Sequence, residues 1–294
     1  MNPDRNRRYV IISPVRDESS HIRKTIEAVL AQTVRPVEWL VIDDNSSDDT
    51  AAIVQTYARK HPFIKLIRFP ESTERDPGTG PSRAFNFGFN RVQSREYWYL
   101  ANLDGDVSFE PDYFEHMMVA FERDKTLGIA SGLVCEWKKG TLAPVNKSYR
   151  EHAYGAAMVF SLSCYLCVYP LEEIKAWDLV ACIKANLAGY QARVITSELV
   201  LHNKPMDSAV GKRRENYLKG YSSAYLQYHP VFAMMKGLKI TLEAPVVNGG
   251  LNYFRGYLYN ALWKREFYTN SDVTGFIRRQ QVKRMFGRFW CFKR

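Results

Sequence analysis

The stretch Tyr97-Trp98-Tyr99-Leu100-Ala101-Asn102-Leu103-Asp104-Gly105-Asp106 decides how the chain is read. Its first seven residues are mostly aromatic and aliphatic, the composition of a buried strand. The run then stops at two carboxylates, one residue apart on a turn. Two earlier runs end in a similar way. Tyr9-Val10-Ile11-Ile12-Ser13 turns at Pro14-Val15-Arg16, and Val37 to Ile42 ends in Asp43-Asp44-Asn45-Ser46-Ser47. Ile64 to Phe69 is another strand. Between these runs, His21 to Gln32 places Ile22, Ile26, Val29 and Leu30 on one helical face. A second helix carries Ala52, Ile53, Val54 and Tyr57, with Ser47 or Asn45 as its expected N-cap. A third runs from Ser82 to near Arg91. Strands alternating with helices imply right-handed crossovers and an α/β fold with a mostly parallel central sheet and helices on both faces. Ligands of such sheets bind beyond the carboxyl ends of the strands. The three polar strand ends should therefore meet on one rim.

Further along, Ile129 to Val134 reads as a strand. Tyr154 to Tyr169 is apolar with small residues and stays open between strand and helix. Ala176 to Gly189 is a helix closed by Gly189. Val194-Ile195 and Leu199-Val200-Leu201 look like two closing strands.

The 294 residues are 46% apolar and 24% charged, which excludes wholesale disorder. The net charge of +10 is concentrated at one end. Residues 1–206 carry a net −1, and residues 207–294 carry 16 basic and 5 acidic side chains, a net +11. A uniformly basic coat protein is excluded, and two parts are expected: a near-neutral domain 1–206 and a basic, aromatic-rich helical segment 207–294. Five scattered cysteines cannot form a disulfide framework, and Cys164-x-x-Cys167 lacks a second pair for zinc, so buried free thiols and a reducing compartment are expected. Met1 to Arg8 is polar and has no apolar run behind it, so no secretory signal is expected. The best spanning candidate, Val231 to Phe254, is interrupted by Lys236, Lys239 and Glu243, so no spanning helix is expected.

The acidic pair has a chemistry of its own. Asp104 and Asp106 can hold a hard divalent cation, Mn²⁺ or Mg²⁺, together with phosphate oxygens. Such an ion neutralises charge on a diphosphate leaving group. A plain turn is the alternative, since Asp and Gly favour turns. Helix-dipole complementation accounts for Ser47 to Asp49. It does not account for Asp43 and Asp44, which precede the cap.

Taken together, Val10-Ile-Ile-Ser-Pro14 with Glu18, Leu40 to Thr50, Ala84-Phe-Asn86 with Gly88, Asn102-Leu-Asp-Gly-Asp106, Trp177-Asp178 and Ala188-Gly189-Tyr190 resemble a family 2 glycosyltransferase of the GT-A type. The resemblance spans roughly residues 9–204 and implies a Rossmann-like GT-A domain. It implies that Ser13, Pro14, Arg16 and Glu18 line a nucleotide site, that Asp44 accepts a hydrogen bond from the base, and that Arg83 and Asn86 face the donor. Asp104 would meet the ribose or sugar side, and Asp106 the metal, with His202 as a further ligand. Asp178, eleven residues before Gly189-Tyr190, falls where the family places its catalytic base, although Trp177 replaces the expected Glu. Displacement at an anomeric carbon needs a base to take the acceptor's hydroxyl proton. The other reading of Asp178 is a helix N-cap.

In the basic segment, Tyr217, Tyr221, Tyr225 and Tyr228 form one helical stripe, expected to pack against the catalytic domain, with acceptor binding as the alternative. Arg213 and Arg214 would contact the donor diphosphate or else lie in a solvated loop. Val282, Met285, Phe286, Phe289 and Trp290 follow helical spacing among Arg278, Arg279, Lys283, Arg284 and Arg288. That pattern suits a helix lying in an anionic membrane interface. Docking on the enzyme's own body is the alternative, and no nucleic-acid partner is expected. Ala244 to Tyr259 loosely resembles the tails of bacterial and archaeal members that make surface glycans or glycolipids.

The resulting expectation is an inverting, metal-dependent transferase. It moves a sugar from a nucleotide-diphosphate donor, UDP favoured, to a hydroxyl of a glycan or lipid-linked acceptor, at the cytoplasmic face of the membrane as a peripheral protein. A nucleotidyltransferase would want a glycine-rich loop after the first strand, and Pro14-Val15-Arg16-Asp17-Glu18 has none. A non-catalytic basic module would not need acids at three strand ends.

Overall fold

In the computed structural model, residues 7–70, 79–138, 140–145, 152–204, 211–242 and 247–290 are described, with side chains up to 286. The chain divides into two compact units, Met1–Pro205 and Met206–Arg294.

In the first unit, apolar runs become strands because both of their faces are covered. β1 (Tyr9–Val15), β2 (Glu38–Asp43) and β4 (Tyr99–Leu103) are buried along nearly their whole length. A parallel strand enclosed on both sides reads as a continuous apolar run. β3 (Ile64–Arg68), β2, β1 and β4 lie side by side in parallel. The nine-stranded sheet continues through β8 (Ala157–Ser161), β6 (Leu127–Lys138), β9 (Gln191–His202) and β5 (Val107–Phe109), with β7 (Thr141–Pro144) paired to β6. β8 and β5 run antiparallel to their neighbours, while β6 and β9 are parallel.

Helices cover both faces. On one side α1 (Ile22–Leu30), α2 (Thr50–Ala58) and α4 (Tyr113–Arg123) pack Ile26, Val54 and Met117 against Ile11, Val41 and Ala101. On the other, α3 (Gly80–Phe89), α5 (Leu162–Val168) and α6 (Trp177–Leu187) pack Phe85, Tyr165 and Ala181 against Val10, Ile12 and Leu100. Alternate residues of β1 thus feed two cores, as the period of two requires. Gly88 of α3 lets the helix close on the sheet, since a Cβ there would stand 2.7 Å from Ile12 Cγ2 and 3.0 Å from Ile42 Cγ1.

Several local expectations are revised. β1 continues through Pro14 to Val15, because Pro14 sits opposite Ile42 in the register. Neither Ser47 nor Asn45 caps α2. Its N-cap is Asp49, and the Thr50 N–H is met by Asp48 Oδ1 at 3.0 Å. Asn45 instead takes a left-handed φ of 55° at the turn after β2. The open stretch Tyr154 to Tyr169 contains both β8 and α5. The two closing strands are one, β9, whose register against β6 shifts between Gly132 and Leu133. Cys135, Cys164 and Cys182 are buried free thiols, whereas Cys167 is exposed. Cys291 lies outside the described residues.

The second unit is helical: α7 (Gly211–Tyr225), α8 (Pro230–Thr241), α9 (Asn248–Leu258), a π-helical turn (Tyr259–Lys264) and α10 (Ser271–Trp290). α7 and α9 cross at backbone distance. A Cβ on Gly220 would overlap the Tyr253 carbonyl, and one on Gly256 the Tyr217 carbonyl. The tyrosine stripe is half-buried, and its rings pack within this unit, Tyr217 on Tyr259, Tyr225 on Tyr268 and Tyr228 on Phe232. Among the described residues no helix is long and apolar enough to cross a membrane.

Candidate active site

The loops after β1 and β2 are laced together by side chains the sequence places there. Asp17, at φ 55°, accepts from Ser47 N at 2.8 Å and Ser47 Oγ at 3.1 Å. Thr50 Oγ1 accepts from Glu18 N at 2.8 Å, and Asp48 Oδ2 from Ser19 N at 3.0 Å. Burial would raise the Asp48 carboxyl, but the bonds from Thr50 and Ser19 outweigh it and hold it down at about 2. The polar cluster after β2 therefore serves largely to fix the shape of the rim.

That rim borders a cleft lined by Pro14, Arg16, Glu18, Asp44, Asp104 and Asp106, with Gly80 and Pro81 from the start of α3. Three strand ends distant in sequence do converge. Arg16 Nη1 stands 3.6 Å from Asp44 Oδ2, so the cleft brings its own cation to the acid after β2. Gly105 lets the turn after β4 approach β1, since a Cβ there would stand 3.0 Å from Val15 Cγ1.

Asp106 lies beside His202, because Val107 of β5 pairs with His202 of β9. His202 Nε2 is 3.6 Å from Asp106 Oδ1, while its Nδ1 bonds the Lys204 carbonyl. With Nδ1 turned to that carbonyl, Nε2 is the ring nitrogen that faces Asp106 and would meet a metal. Asp104, Asp106 and His202 each offer a ligand atom within 4.8 Å of the others. Asp106 Oδ1 is buried and accepts no hydrogen bond. Burial raises Asp106 to about 7 against the pull of His202, and burial raises Asp104 as well. A buried Asp106 with an unsatisfied oxygen, a half-buried Asp104 and the His202 ring beside them fit a divalent cation of the hard, oxygen-preferring kind.

Asp178 occupies the first turn of α6 rather than its N-cap, which is Ala176. Leu179 N donates to its Oδ1 at 2.8 Å, and His152 Nε2 stands 3.4 Å from its Oδ2. Burial opposes ionisation here, yet His152 and the backbone N–H groups of Leu179 and Gly155 bring the Asp178 carboxyl below its ordinary range. It is also near enough to Asp104 for its charge to be felt there. Trp177 packs on Gly155, where a Cβ would stand 2.7 Å from its ring. The residue in place of the expected Glu is thus a packing residue.

Other predicted residues are engaged elsewhere. Ser13 is buried, and its Oγ accepts from Trp39 Nε1 at 2.9 Å. Arg83 lies 3.5 Å from Glu173 and over the Phe69 ring. Both ends of the Asn86 amide bond the Leu171 backbone, at 2.8 and 3.0 Å. Arg213 and Arg214 are exposed in the first turn of α7, in the second unit.

Two residues were not anticipated. His152 precedes β8 in a stretch without periodicity. Lys204 reaches back from the end of β9 to Glu18 Oε1 at 2.8 Å. Neither carries a local signal; the only hint is that each follows or precedes a strand that feeds the rim. A second hollow, of about 380 Å³, lies between α4 and β9 beside His116, Arg123, Arg193 and Glu198. Its His116 is already held between Glu198 at 3.1 Å and Asp112 at 3.8 Å, on opposite ring nitrogens, an arrangement of ion pairs rather than a shared ligand site.

Comparison with known proteins agrees with this geometry. The family model described as "Glycosyl transferase family 2" matches residues 10–165, just over half of the chain. Chondroitin synthase of Escherichia coli is 29% identical over 117 residues, 40% of this chain and 16% of that protein. Glycosyltransferase GlyA of Streptococcus pneumoniae is 23% identical over 177 residues, 59% of this chain and 23% of that protein. The chain thus spans less than a quarter of either relative. Among solved structures, the mannosyltransferase PcManGT of Pyrobaculum calidifontis, in complex with GDP-Man and Mn²⁺, superimposes with a TM-score of 0.59 at 15% identity, covering 88% of both chains. Residues 1–349 of S. aureus TarS with UDP-GlcNAc give 0.55 at 12% identity, covering 88% of this chain and 74% of that one. The fold is GT-A, and the chain belongs to glycosyl transferase family 2.

Proposed function

We propose that this protein is an inverting, metal-dependent glycosyltransferase that moves a sugar from a nucleotide-diphosphate donor, a UDP-sugar favoured, to a hydroxyl of a glycan or lipid-linked acceptor. The observation that carries the proposal is the convergence of Asp44, Asp104 and Asp106 on one cleft, with the His202 imidazole beside Asp106. The domain comprising residues 1–206 would bind donor and perform the transfer. Asp44, Arg16 and Glu18 bind the nucleoside end of the donor, over Pro14. Ser13 acts from below by fixing Trp39, and Asn86 by fixing Leu171. Arg83 borders the donor side. Asp106, His202 and Asp104 would hold Mn²⁺ or Mg²⁺, whose chemistry is to neutralise the leaving diphosphate.

Asp178 is the base. Held as a carboxylate by His152 and Leu179, it takes the proton of the acceptor hydroxyl as oxygen attacks the anomeric carbon from the face opposite the diphosphate. One direct displacement inverts the configuration. Relatives include polysaccharide synthases and a protein of teichoic acid biosynthesis, which supports a glycan or lipid-linked acceptor. The basic segment 207–294 would hold the protein peripherally at the inner, cytoplasmic face of an anionic membrane.

A panel of nucleotide sugars screened by thermal shift with Mn²⁺ tests the reading, since a specific ligand stabilises by mass action. One nucleotide sugar should raise the melting temperature in a metal-dependent way and then be turned over. If no member of the panel shifts the melting temperature, the donor site fails.

A further inference from the structure

The second unit carries an apolar surface of its own. On α8, Val231, Met234, Met235, Leu238 and Leu242 at its C-cap fall within an arc of about 100°, and each is at least 44% exposed. The inner face of the same helix is packed. Ala233 and Gly237 are buried, the Phe254 ring fills the space beside Gly237, and Gly250 leaves room for Thr241. Gly237 meets Phe254 while Thr241 meets Gly250, so α8 and α9 run antiparallel along a glycine-lined seam. Leu238, Leu242 and Leu251 each directly follow a seam residue. The exposed faces of both helices therefore flank one line. α9 and the π-helical turn add Leu258, Leu262 and Trp263, the last 73% exposed.

The charge beside this surface is mostly positive. Residues 230–266 hold five cations and two acids, Glu243 and Glu266. Lys264 pairs with Glu266 at 3.1 Å, and Lys236 is turned inward onto the Tyr228 and Tyr253 rings. The cations left to the surface are Lys239 and Arg255, exposed at the borders of the two apolar arcs, and Arg265, exposed two residues after Trp263. Exposed leucine and methionine in such number mark a surface that is covered in use. Two copies of this chain pressed together here would oppose like charges, and lysine is depleted from the cores of protein interfaces. An anionic bilayer removes both objections. Leu and Met enter the acyl boundary, Trp263 sits at headgroup level, and the cations meet phosphate.

On α10 the arrangement is less favourable. Its buried face is Val273, Thr274, Ile277 and Gln281, and among the described residues of the expected stripe Met285 is half-buried while Val282 and Phe286 are exposed at 40% and 53%. Phe289 and Trp290 lie beyond the described side chains.

We propose that the paired face of α8 and α9, with the π-helical turn, is the surface that enters an anionic phospholipid bilayer, and that α10 is secondary to it. This rests on the peripheral association proposed above and is independent of the transfer chemistry. Flotation of the full-length protein with phosphatidylcholine vesicles, with and without phosphatidylglycerol, tests it. The protein should float with the anionic vesicles. Leu238→Glu combined with Leu258→Glu should cut the bound fraction by about tenfold or more, and Val282→Glu with Phe286→Glu by clearly less. A second readout leaves the surface intact: brominated lipid should quench the emission that Trp263→Phe removes. Equal flotation of the α8/α9 variant and the parent overturns the proposal. So does an unquenched Trp263, or a larger loss from the α10 variant. Sedimentation that shows a dimer broken by Leu238→Glu, without flotation of the parent, would assign the face to a second copy instead. Flotation retained in an Asp178→Asn protein that cannot transfer sugar separates this proposal from the catalytic one.

Discussion

Replacing Asp178 by Asn should separate binding from chemistry. The change is nearly isosteric, and an amide oxygen can still accept from Leu179 N, now 2.8 Å from Oδ1. What is lost is the negative charge beside His152 and the lone pair that takes a proton. In the native protein that charge survives burial because His152, 3.4 Å away, and two backbone N–H groups favour it, so the group is a ready carboxylate at neutral pH. A positioned general base contributes about 10²–10⁴-fold, or roughly 3–5 kcal/mol of barrier at 1.36 kcal/mol per decade. The turnover number should fall by that factor. Donor affinity, assigned in the proposed function to Asp44, Arg16 and the acids after β4, should change by less than about threefold, under 1 kcal/mol. Steady-state kinetics with the donor found by thermal shift, together with calorimetry of donor binding, measure both. The base assignment is refuted if turnover persists within about tenfold of the parent, well short of the loss expected for a base. A parallel loss of donor binding would place Asp178 in the donor site instead.

Four further outcomes follow from named contacts. Removing the imidazole in His152→Ala takes away the largest contribution that opposes burial at Asp178, so its carboxyl rises and the acidic limb of the kcat/KM profile moves to higher pH; an unmoved limb would show that His152 does not support the base. His202→Ala should weaken metal binding, read as a higher Mn²⁺ concentration for half-maximal activity after chelator treatment, and unchanged dependence would remove His202 from the ligand set. Gly88→Ala drives a Cβ to 2.7 Å from Ile12 and 3.0 Å from Ile42, an overpacking that costs about 1–3 kcal/mol and should lower Tm by roughly 2–4 °C per kcal/mol; an unchanged Tm would mean that α3 can lift off the sheet freely. Asp48, held at about 2 against an ordinary 3.8, stabilises the fold above the unfolded value and loses that contribution as pH falls from near 3.8 through 2. Denaturant titrations of Asp48→Asn across that window should show a flatter pH dependence than the parent, and parallel curves would refute the role.

The parts of the site visible in the sequence share one property. Ser13-Pro14, Asp43-Asp44 and Asp104-Gly105-Asp106 each sit at the end of a run whose length and apolarity mark a buried parallel strand, so their convergence follows from the rule that such strands end on one rim. Elements with mixed neighbours were harder to read. β8 and α5 share the apolar stretch from Tyr154 to Tyr169 with no turn residue between them, and Ser161 both ends the strand and caps the helix, accepting from Cys164 N. The break in β9 reflected a register shift against β6, a property of the pair and invisible in either strand alone. On α8 the spacing of Val231, Met234, Met235 and Leu238 is plainly helical in the sequence, but spacing does not say which face a neighbour covers. Gly237 and Gly250 decide that, by admitting Phe254 and Thr241 to the inner side.

Local pattern alone determined the α/β class, the carboxylate-bearing rim and the concentration of positive charge after residue 206, because periodicity, turn chemistry and charge are written in consecutive residues. Tertiary structure alone decided which groups answer those carboxylates. His152 comes to Asp178 across 26 positions and Lys204 to Glu18 across 186, and contacts between residues so far apart depend on strand order and register, which no short stretch of sequence encodes.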